Sequence, residues 1–145
     1  MERNYTVSTQ INRPLSEVFS AVIDSHVMEK YFTTRSSSSL IEGRKIDWYW
    51  KHWGENSVFV NRVIENELIE LTLDSKNWAK TDPGYDVKVI FEFEDLGTGS
   101  TRLSISEKGW KSDADGLKAS HENCGCWQHM ADCLKAWLEH GIDLR

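Results

Sequence analysis

The sequence of 145 residues has little of what a disulfide-rich secreted protein needs. It carries three cysteines, an odd number, and Cys124, Cys126 and Cys133 all fall within one predicted helix. A secreted scaffold usually has an even set of cysteines spread along the chain, so this set favours a reducing compartment. The polar opening, residues 1–4, is not typical of a secretory signal. We therefore expect a cytoplasmic protein.

The sequence also lacks an excess of positive charge and any long apolar run. Its 17 Lys and Arg against 23 Asp and Glu give a formal net charge of -6, which is the wrong sign for a protein that binds phosphate backbones. Its longest apolar runs, such as residues 89–91, are far shorter than the roughly 20 residues of a membrane span. We expect no nucleic-acid partner and no membrane span.

Tryptophan, by contrast, is abundant. The seven tryptophans are Trp48, Trp50, Trp53, Trp78, Trp110, Trp127 and Trp137. A chain of this length can fold as one domain, residues 1–145, around a single core without a metal, a disulfide or an obligate partner. Tryptophan is costly to pack fully, because a buried indole N–H needs a hydrogen-bond partner. Two interpretations therefore stay open: the tryptophans fill a closed core, or some of them line a cavity.

Apolar periodicity predicts the order of the elements. Alternation predicts a first strand over residues 5–11, and helical spacing after Pro14 predicts two short helices that reach about Phe32. The part of the chain that follows alternates with a period of two between turn signals such as Gly97-Thr98-Gly99, which is typical of antiparallel strands. These predicted strands are residues 37–41, 45–52, 58–64, 68–73, 87–94 and 101–107.

A broad apolar stripe at 3.6-residue spacing predicts one long amphipathic helix over residues 114–140, with Gly141 as its C-terminal cap. This helix is the one element large enough to cover the apolar face of the sheet. The prediction is an α+β domain in which a curved antiparallel sheet of about seven strands surrounds the long C-terminal helix. Such an arrangement commonly keeps a ligand-sized cavity at its concave side.

Short sequence segments, in a fixed order along nearly the whole chain, carry a resemblance to a known family. They are Ile11-Asn12-Arg13-Pro14 with Val18-Phe19, Ile41-Glu42-Gly43 with Ile46-Asp47-Trp48, Gly99-Ser100-Thr101-Arg102-Leu103 with Glu107-Lys108-Gly109-Trp110, Cys126-Trp127, and the tail from Leu138 to Arg145. With these segments the sequence resembles the Activator of Hsp90 ATPase homologue 1-like family of the START/Bet v 1 (SRPBCC) superfamily.

The resemblance implies a helix-grip fold with a cavity between the C-terminal helix and the sheet, and members that bind small apolar or aromatic molecules, lipids or polyketides. A few members are enzymes. The family name also implies a chaperone partner, but the eukaryotic co-chaperones use a separate N-terminal domain as well. Nothing else in these 145 residues supports a chaperone interaction.

Strand parity indicates which side chains face the helix. Ile46, Trp48 and Trp50 share one face of their strand, and Val89 and Phe91 share one face of another. We expect these faces, together with the helix, to form the wall and mouth of a ligand site. The expected ligand-binding residues are Trp48, Trp50, Trp78, Tyr85, Phe91, Trp110, Cys126, Trp127, His129 and Met130.

The three residues Cys126, His129 and Cys133 lie at helix positions i, i+3 and i+7 and include types that bind metals. A structural zinc site usually takes four ligands from two elements, and no further Cys or His pair supports one. We therefore expect no metal and no cofactor, with His129 as a polar group that orients a ligand.

No motif identifies a catalytic residue. A base with an orienting partner could be assembled from His129 and Glu107, or from Asp47 and Arg62, but the spacing compels neither pair. The favoured hypothesis is binding of a small hydrophobic or aromatic molecule. A hydrolase or cyclase acting on such a molecule and a chaperone-interaction module are the alternatives, and a homodimer formed through exposed Trp53 or Trp137 stays open.

Overall fold

The computed structural model describes residues 2–79 and 81–145, and in these residues the chain forms seven strands and four helices. In chain order they are β1 (Tyr5–Ile11), α1 (Leu15–Ile23), α2 (Ser25–Tyr31), β2 (Arg35–Ser36), β3 (Lys45–Trp50), β4 (Gly54–Ile64), β5 (Leu68–Asp74), α3 (Ser75–Trp78), β6 (Asp86–Gly97), β7 (Ser100–Lys108) and α4 (Ala114–His140).

The strands form one antiparallel sheet in the order β1-β7-β6-β5-β4-β3-β2. Neighbouring strands from β2 to β7 are consecutive in the chain, and β1 returns to pair with β7, where Tyr5 lies opposite Glu107. Irregular registers between Val60 and Arg62 and between Asp95 and Gly97 interrupt the ladders, and such bulges increase strand bending and twist. The result is the predicted curved sheet.

The concave face of the sheet is apolar and meets α4. Ile46 and Trp48 on β3, and Val89 and Phe91 on β6, are buried, as the alternation predicts. Ala119, Trp127, Met130, Ala131, Cys133 and Leu134 are among the buried residues of α4. Burial of this stripe against the sheet holds the helix in place, because apolar area removed from water is the main favourable contribution to folding.

Both ends of α4 lie where the sequence predicts them. Asp113 accepts a hydrogen bond from the backbone N–H of Gly116 at 2.8 Å, which caps the helix N-terminus. Gly141 follows the helix with φ of 66°, the left-handed conformation that glycine adopts most readily. No helix in the described ranges is sufficiently long and apolar to span a membrane.

Three local expectations are corrected. The strand predicted at residues 37–41 is instead the short β2, Arg35–Ser36, because serine side chains bond to nearby backbone: Ser36 Oγ donates to the Ser38 carbonyl, and Ser38 Oγ donates to the Ser39 carbonyl. The strands predicted at residues 45–52 and 58–64 have other bounds: β3 ends at Trp50 and β4 already begins at Gly54, which pairs with Trp50. The one-turn helix α3 was not expected, and the Asp74 side chain caps it by accepting from Lys76 N–H.

Two glycines of α4 provide a test of this packing. A Cβ at Gly116 would lie 2.0 Å from the Lys111 carbonyl oxygen, whereas a Cβ at Gly125 would meet open space. We expect Gly116→Ala to lower the free energy of unfolding by about 1–3 kcal/mol through overpacking. Gly125→Ala should raise it by about 1 kcal/mol, because alanine favours the helix. Urea unfolding of both variants measures these changes, and equal effects would contradict the close contact at Gly116.

Candidate functional site

Six aromatic side chains lie in contact between α4 and the concave face of the sheet. This aromatic cluster consists of Phe32, Trp48, Trp50, Trp78, Phe91 and Trp127. The contacting ring centroids are separated by 5.2 Å (Phe32 to Trp50) to 6.5 Å (Trp48 to Trp127). Most pairs meet edge to face, whereas Trp78 and Trp127 are stacked at an interplanar angle of 23°. These are the favourable arrangements for aromatic rings.

The aromatic cluster extends from the core to the surface. Trp48, Phe91 and Trp127 are almost completely buried, whereas Trp50 and Trp78 are half-buried at its outer edge. A pocket of about 500 Å³ between α3 and the first half of α4 adjoins Trp78. Charges of both signs surround this pocket: Lys76, Lys118, Asp115 and Glu122.

The indole N–H groups of the aromatic cluster differ in their partners. Trp50 Nε1 donates to the Phe32 carbonyl at 3.1 Å, and Trp78 Nε1 donates to the Ser57 carbonyl at 3.4 Å. Trp127 Nε1 donates to the Glu107 carboxylate at 3.0 Å. Trp48 Nε1 is buried and has no hydrogen-bond partner among the residues that the structure describes.

Glu107 is a completely buried carboxylate behind Trp127. It lies near the end of β7, and its side chain faces inward. The carboxylate accepts hydrogen bonds from the Tyr5 hydroxyl on β1, from Trp110 Nε1 at 2.8 Å and from Trp127 Nε1 at 3.0 Å. These donors belong to a strand, a loop and a helix. The carboxylate therefore fixes the position of α4 relative to the sheet and the orientation of the Trp127 ring.

The surroundings of Glu107 alter its ionisation. Burial raises the pKa of its carboxyl above the ordinary value, although the hydrogen bonds from Tyr5, Trp110 and Trp127 oppose this. Burial and the adjacent Glu107 carboxylate also raise the pKa of the Tyr5 phenol. Tyr5 is therefore a protonated hydrogen-bond donor at neutral pH, and a negative charge on Glu107 has only neutral hydrogen-bonding partners among the described residues.

The expected ligand-binding residues separate into three groups. The structure brings Trp48, Trp50, Trp78, Phe91 and Trp127 together in the aromatic cluster. Tyr85 and Trp110 form a separate edge-to-face pair with centroids 6.1 Å apart, joined to Trp127 through Glu107. Met130 is buried in the core, whereas Cys126 and His129 are exposed on α4.

Of the residues considered for metal binding, His129 and Cys133 are in contact, whereas the residue pairs considered for catalysis differ from the contacts observed. His129 Nε2 lies 3.5 Å from Cys133 Sγ and is not a hydrogen-bond partner of Glu107. Burial raises the pKa of the Cys133 thiol, which favours its protonated form. Asp47 accepts from Ser57 Oγ at 2.6 Å and pairs with Lys45 at 3.7 Å. Within the described ranges, no group of three His, Cys, Asp or Glu side chains could hold a metal ion.

Sequence reasoning missed Phe32 and Tyr5 as parts of the site. Phe32 follows α2 and contacts Trp48, Trp50 and Trp127, a long-range position that no local pattern indicates. Strand parity could have identified Glu107 as buried, because it continues the inward-facing row of Thr101, Leu103 and Ile105. Tyr5 lies opposite Glu107 on β1. A charged residue in such a row indicates a buried polar contact.

The two tryptophans considered for a dimer differ in exposure. Trp53 is 83% exposed at the hairpin between β3 and β4. Trp137, expected to be exposed, is half-buried and packs against the core. It lies in the last turns of α4, where the helix still contacts the rest of the domain.

The curved sheet that surrounds a long C-terminal helix, with two short helices after the first strand, defines the helix-grip class of fold. A family model described as Activator of Hsp90 ATPase homolog 1-like protein matches residues 12–139. The chain belongs to this family, as the sequence resemblance predicts. Comparison with curated protein sequences gives no significant match.

Solved structures with the same fold cover nearly the whole chain. SSP2350 from Staphylococcus saprophyticus is 24% identical with a TM-score of 0.75, over 97% of this chain and 96% of that one. The Aha1 dimer from Colwellia psychrerythraea is 19% identical with a TM-score of 0.73, over 94% and 98%. CalU16 from Micromonospora echinospora is 16% identical with a TM-score of 0.72, over 96% and 76%. These identities establish the fold alone.

The raised pKa of Glu107 predicts a pH-dependent contribution to stability. The folded state keeps the Glu107 proton to higher pH than the unfolded chain, whose value is about 4.5. Stability from this group is therefore complete below pH 4.5 and falls as pH rises through the folded-state pKa. We expect Glu107→Gln, which cannot ionise at this position, to show no such decline in stability as pH rises. Chemical unfolding from pH 4.5 to neutrality measures it.

Other titratable groups do not account for the expected difference in pH dependence between the wild type and Glu107→Gln. The pKa of Tyr5 is raised by burial and Glu107, and that of Cys126 by desolvation and Glu107, so both groups stay protonated over the range. Glu139 and Asp143 have lowered pKa values and are common to both proteins. The same pH dependence in the wild type and in Glu107→Gln would contradict the assignment.

Proposed function

We propose that this protein binds a small planar aromatic molecule in the space between α4 and the sheet. The observation that carries the proposal is the continuous aromatic cluster, which reaches from buried Trp48 and Trp127 to half-buried Trp50 and Trp78. Ligand sites are commonly lined by apolar and aromatic side chains with a few polar groups that fix orientation. The aromatic cluster, the Trp48 N–H and the adjoining pocket have this composition.

The position of Trp78 supports a route for the ligand. Its ring stacks on Trp127 from the side of the 500 Å³ pocket, and it is held by a long hydrogen bond of 3.4 Å. The rings are in contact, so a ligand needs one of them to move. Rotation of Trp78 into the pocket would expose the face of Trp127, and a planar ligand would then replace one aromatic stack with another.

One solved structure of the same fold supports the proposal. DynU16, described as a putative protein in the dynemicin biosynthetic locus, has a TM-score of 0.78 over 94% of this chain and 47% of its own. Turnover of the ligand would require a reactive group that touches it, and the hydrogen bonds of Glu107 from Tyr5, Trp110 and Trp127 favour a structural role for that carboxylate instead.

Ligand binding can be tested with Trp50 and a matched control three residues away. Native mass spectrometry of the purified protein, and calorimetric titration with planar two- and three-ring aromatic compounds, should reveal a bound species. We expect Trp50→Ala to weaken binding about tenfold, because it removes one wall of the aromatic cluster. Trp53→Ala should leave affinity unchanged, since Trp53 is 83% exposed at the hairpin.

Equal losses in the two variants would place the binding elsewhere. A clean apo mass with no binding from the aromatic panel would contradict the proposal. A change in a chaperone's ATPase rate on addition of the protein, insensitive to Trp50→Ala, would favour the interaction role that the family's description names.

A further inference from the structure

The unpartnered N–H of Trp48 indicates the chemistry of the ligand. Trp48 is 1% exposed, and its ring contacts Phe32, Trp50, Trp78 and Trp127. The indoles of Trp50, Trp78 and Trp127 all donate to oxygen atoms, whereas Trp48 Nε1 has no hydrogen-bond partner in the described part of the chain. A buried donor without an acceptor lowers stability. An acceptor brought by a ligand would relieve that cost.

Contacts with neighbouring ring faces are a weak substitute for an acceptor. An N–H group directed at an aromatic face gains less than one directed at an oxygen atom, and such contacts are of second order. A carbonyl oxygen within reach of Trp48 Nε1 would therefore add to the stacking energy of a bound ligand. An aromatic hydrocarbon of the same shape would gain the stacking alone.

Charge in the interior restricts the ligand further. Among the described residues, Glu107 is the one charged side chain that is buried, and no lysine or arginine is buried with it. The lysines of the pocket, Lys76 and Lys118, lie at the surface and are accompanied by Asp115 and Glu122. A ligand carboxylate inside the aromatic cluster would lose its hydration without gaining a cationic partner, which is costly.

We infer that the ligand is a neutral, planar aromatic carbonyl compound whose oxygen accepts a hydrogen bond from Trp48 Nε1. This inference rests on the proposed function, because it specifies the ligand of the same site. It separates aromatic ketones from aromatic hydrocarbons by the Trp48 hydrogen bond, and from carboxylates such as fatty acids by the absence of a buried cation. Trp48 acts here as a binding residue that sets specificity.

Three probes of similar shape test the inference on the wild-type protein. Fluorene has no acceptor, fluorenone has one neutral carbonyl, and a fluorenone carboxylate adds a negative charge. Calorimetric titration should give about fivefold to tenfold tighter binding of fluorenone than of fluorene, in line with one hydrogen bond. The carboxylate should bind more weakly than fluorenone.

Trp48→Phe removes the N–H and keeps an aromatic ring, so it should abolish the preference for fluorenone over fluorene. Trp50→Phe is the control: its N–H already donates to Phe32, and the preference should survive. A second measurement does not depend on whether any variant folds. In the wild type, the indole N–H resonance of Trp48 should shift downfield with fluorenone and not with fluorene.

Each outcome distinguishes the inference from the proposed function. Equal affinities for fluorene and fluorenone would overturn the inference and leave aromatic binding intact. A preference that persists in Trp48→Phe, or a Trp48 resonance unmoved by fluorenone, would overturn the role of Trp48. Tighter binding of the carboxylate than of fluorenone would overturn the charge argument. Binding of none of the probes would overturn both.

Discussion

The hydrogen bonds of the Glu107 carboxylate join parts of the fold that are far apart in the sequence. Tyr5 lies on β1, Trp110 follows β7 and Trp127 lies in the middle of α4. Apolar burial can hold a helix on a sheet but is not directional, so it determines position along the helix only loosely. Directional hydrogen bonds to one buried carboxylate determine both the axial position of α4 and the rotation of Trp127.

The aromatic cluster depends on this attachment. Trp127 contacts Phe32, Trp48, Trp78 and Phe91. Its ring therefore packs against the residue that follows α2, against the sheet and against α3. A change in its orientation would alter most of the ring contacts in the aromatic cluster. The buried carboxylate has an energetic cost, which its raised pKa expresses, and that cost is the reason that its three donors matter.

The sequence predicted the strands and helices more completely than it predicted the tertiary contacts of the candidate site. Period-two alternation placed Trp48 and Phe91 on inward faces, and the apolar stripe with its Gly141 cap placed the ends of α4, because these signals are local. The helix face was harder to assign. His129 is two residues from Trp127, about 200° around the helix, and a broad apolar stripe does not decide which side meets the sheet. Phe32 joins the aromatic cluster through tertiary contacts that no sequence window contains.

The two buried indoles at the centre of the aromatic cluster differ in whether the protein supplies an acceptor for the N–H group. Trp127 is satisfied by Glu107, and its hydrogen bond holds the ring as a platform. Trp48 contacts the same rings but its N–H lacks a protein acceptor within the described residues. If the aromatic cluster served packing alone, phenylalanine at position 48 would supply an aromatic ring without burying an unpaired donor. A tryptophan there would gain an advantage from an acceptor brought by the proposed ligand, which would connect the packing of this core to the proposed binding.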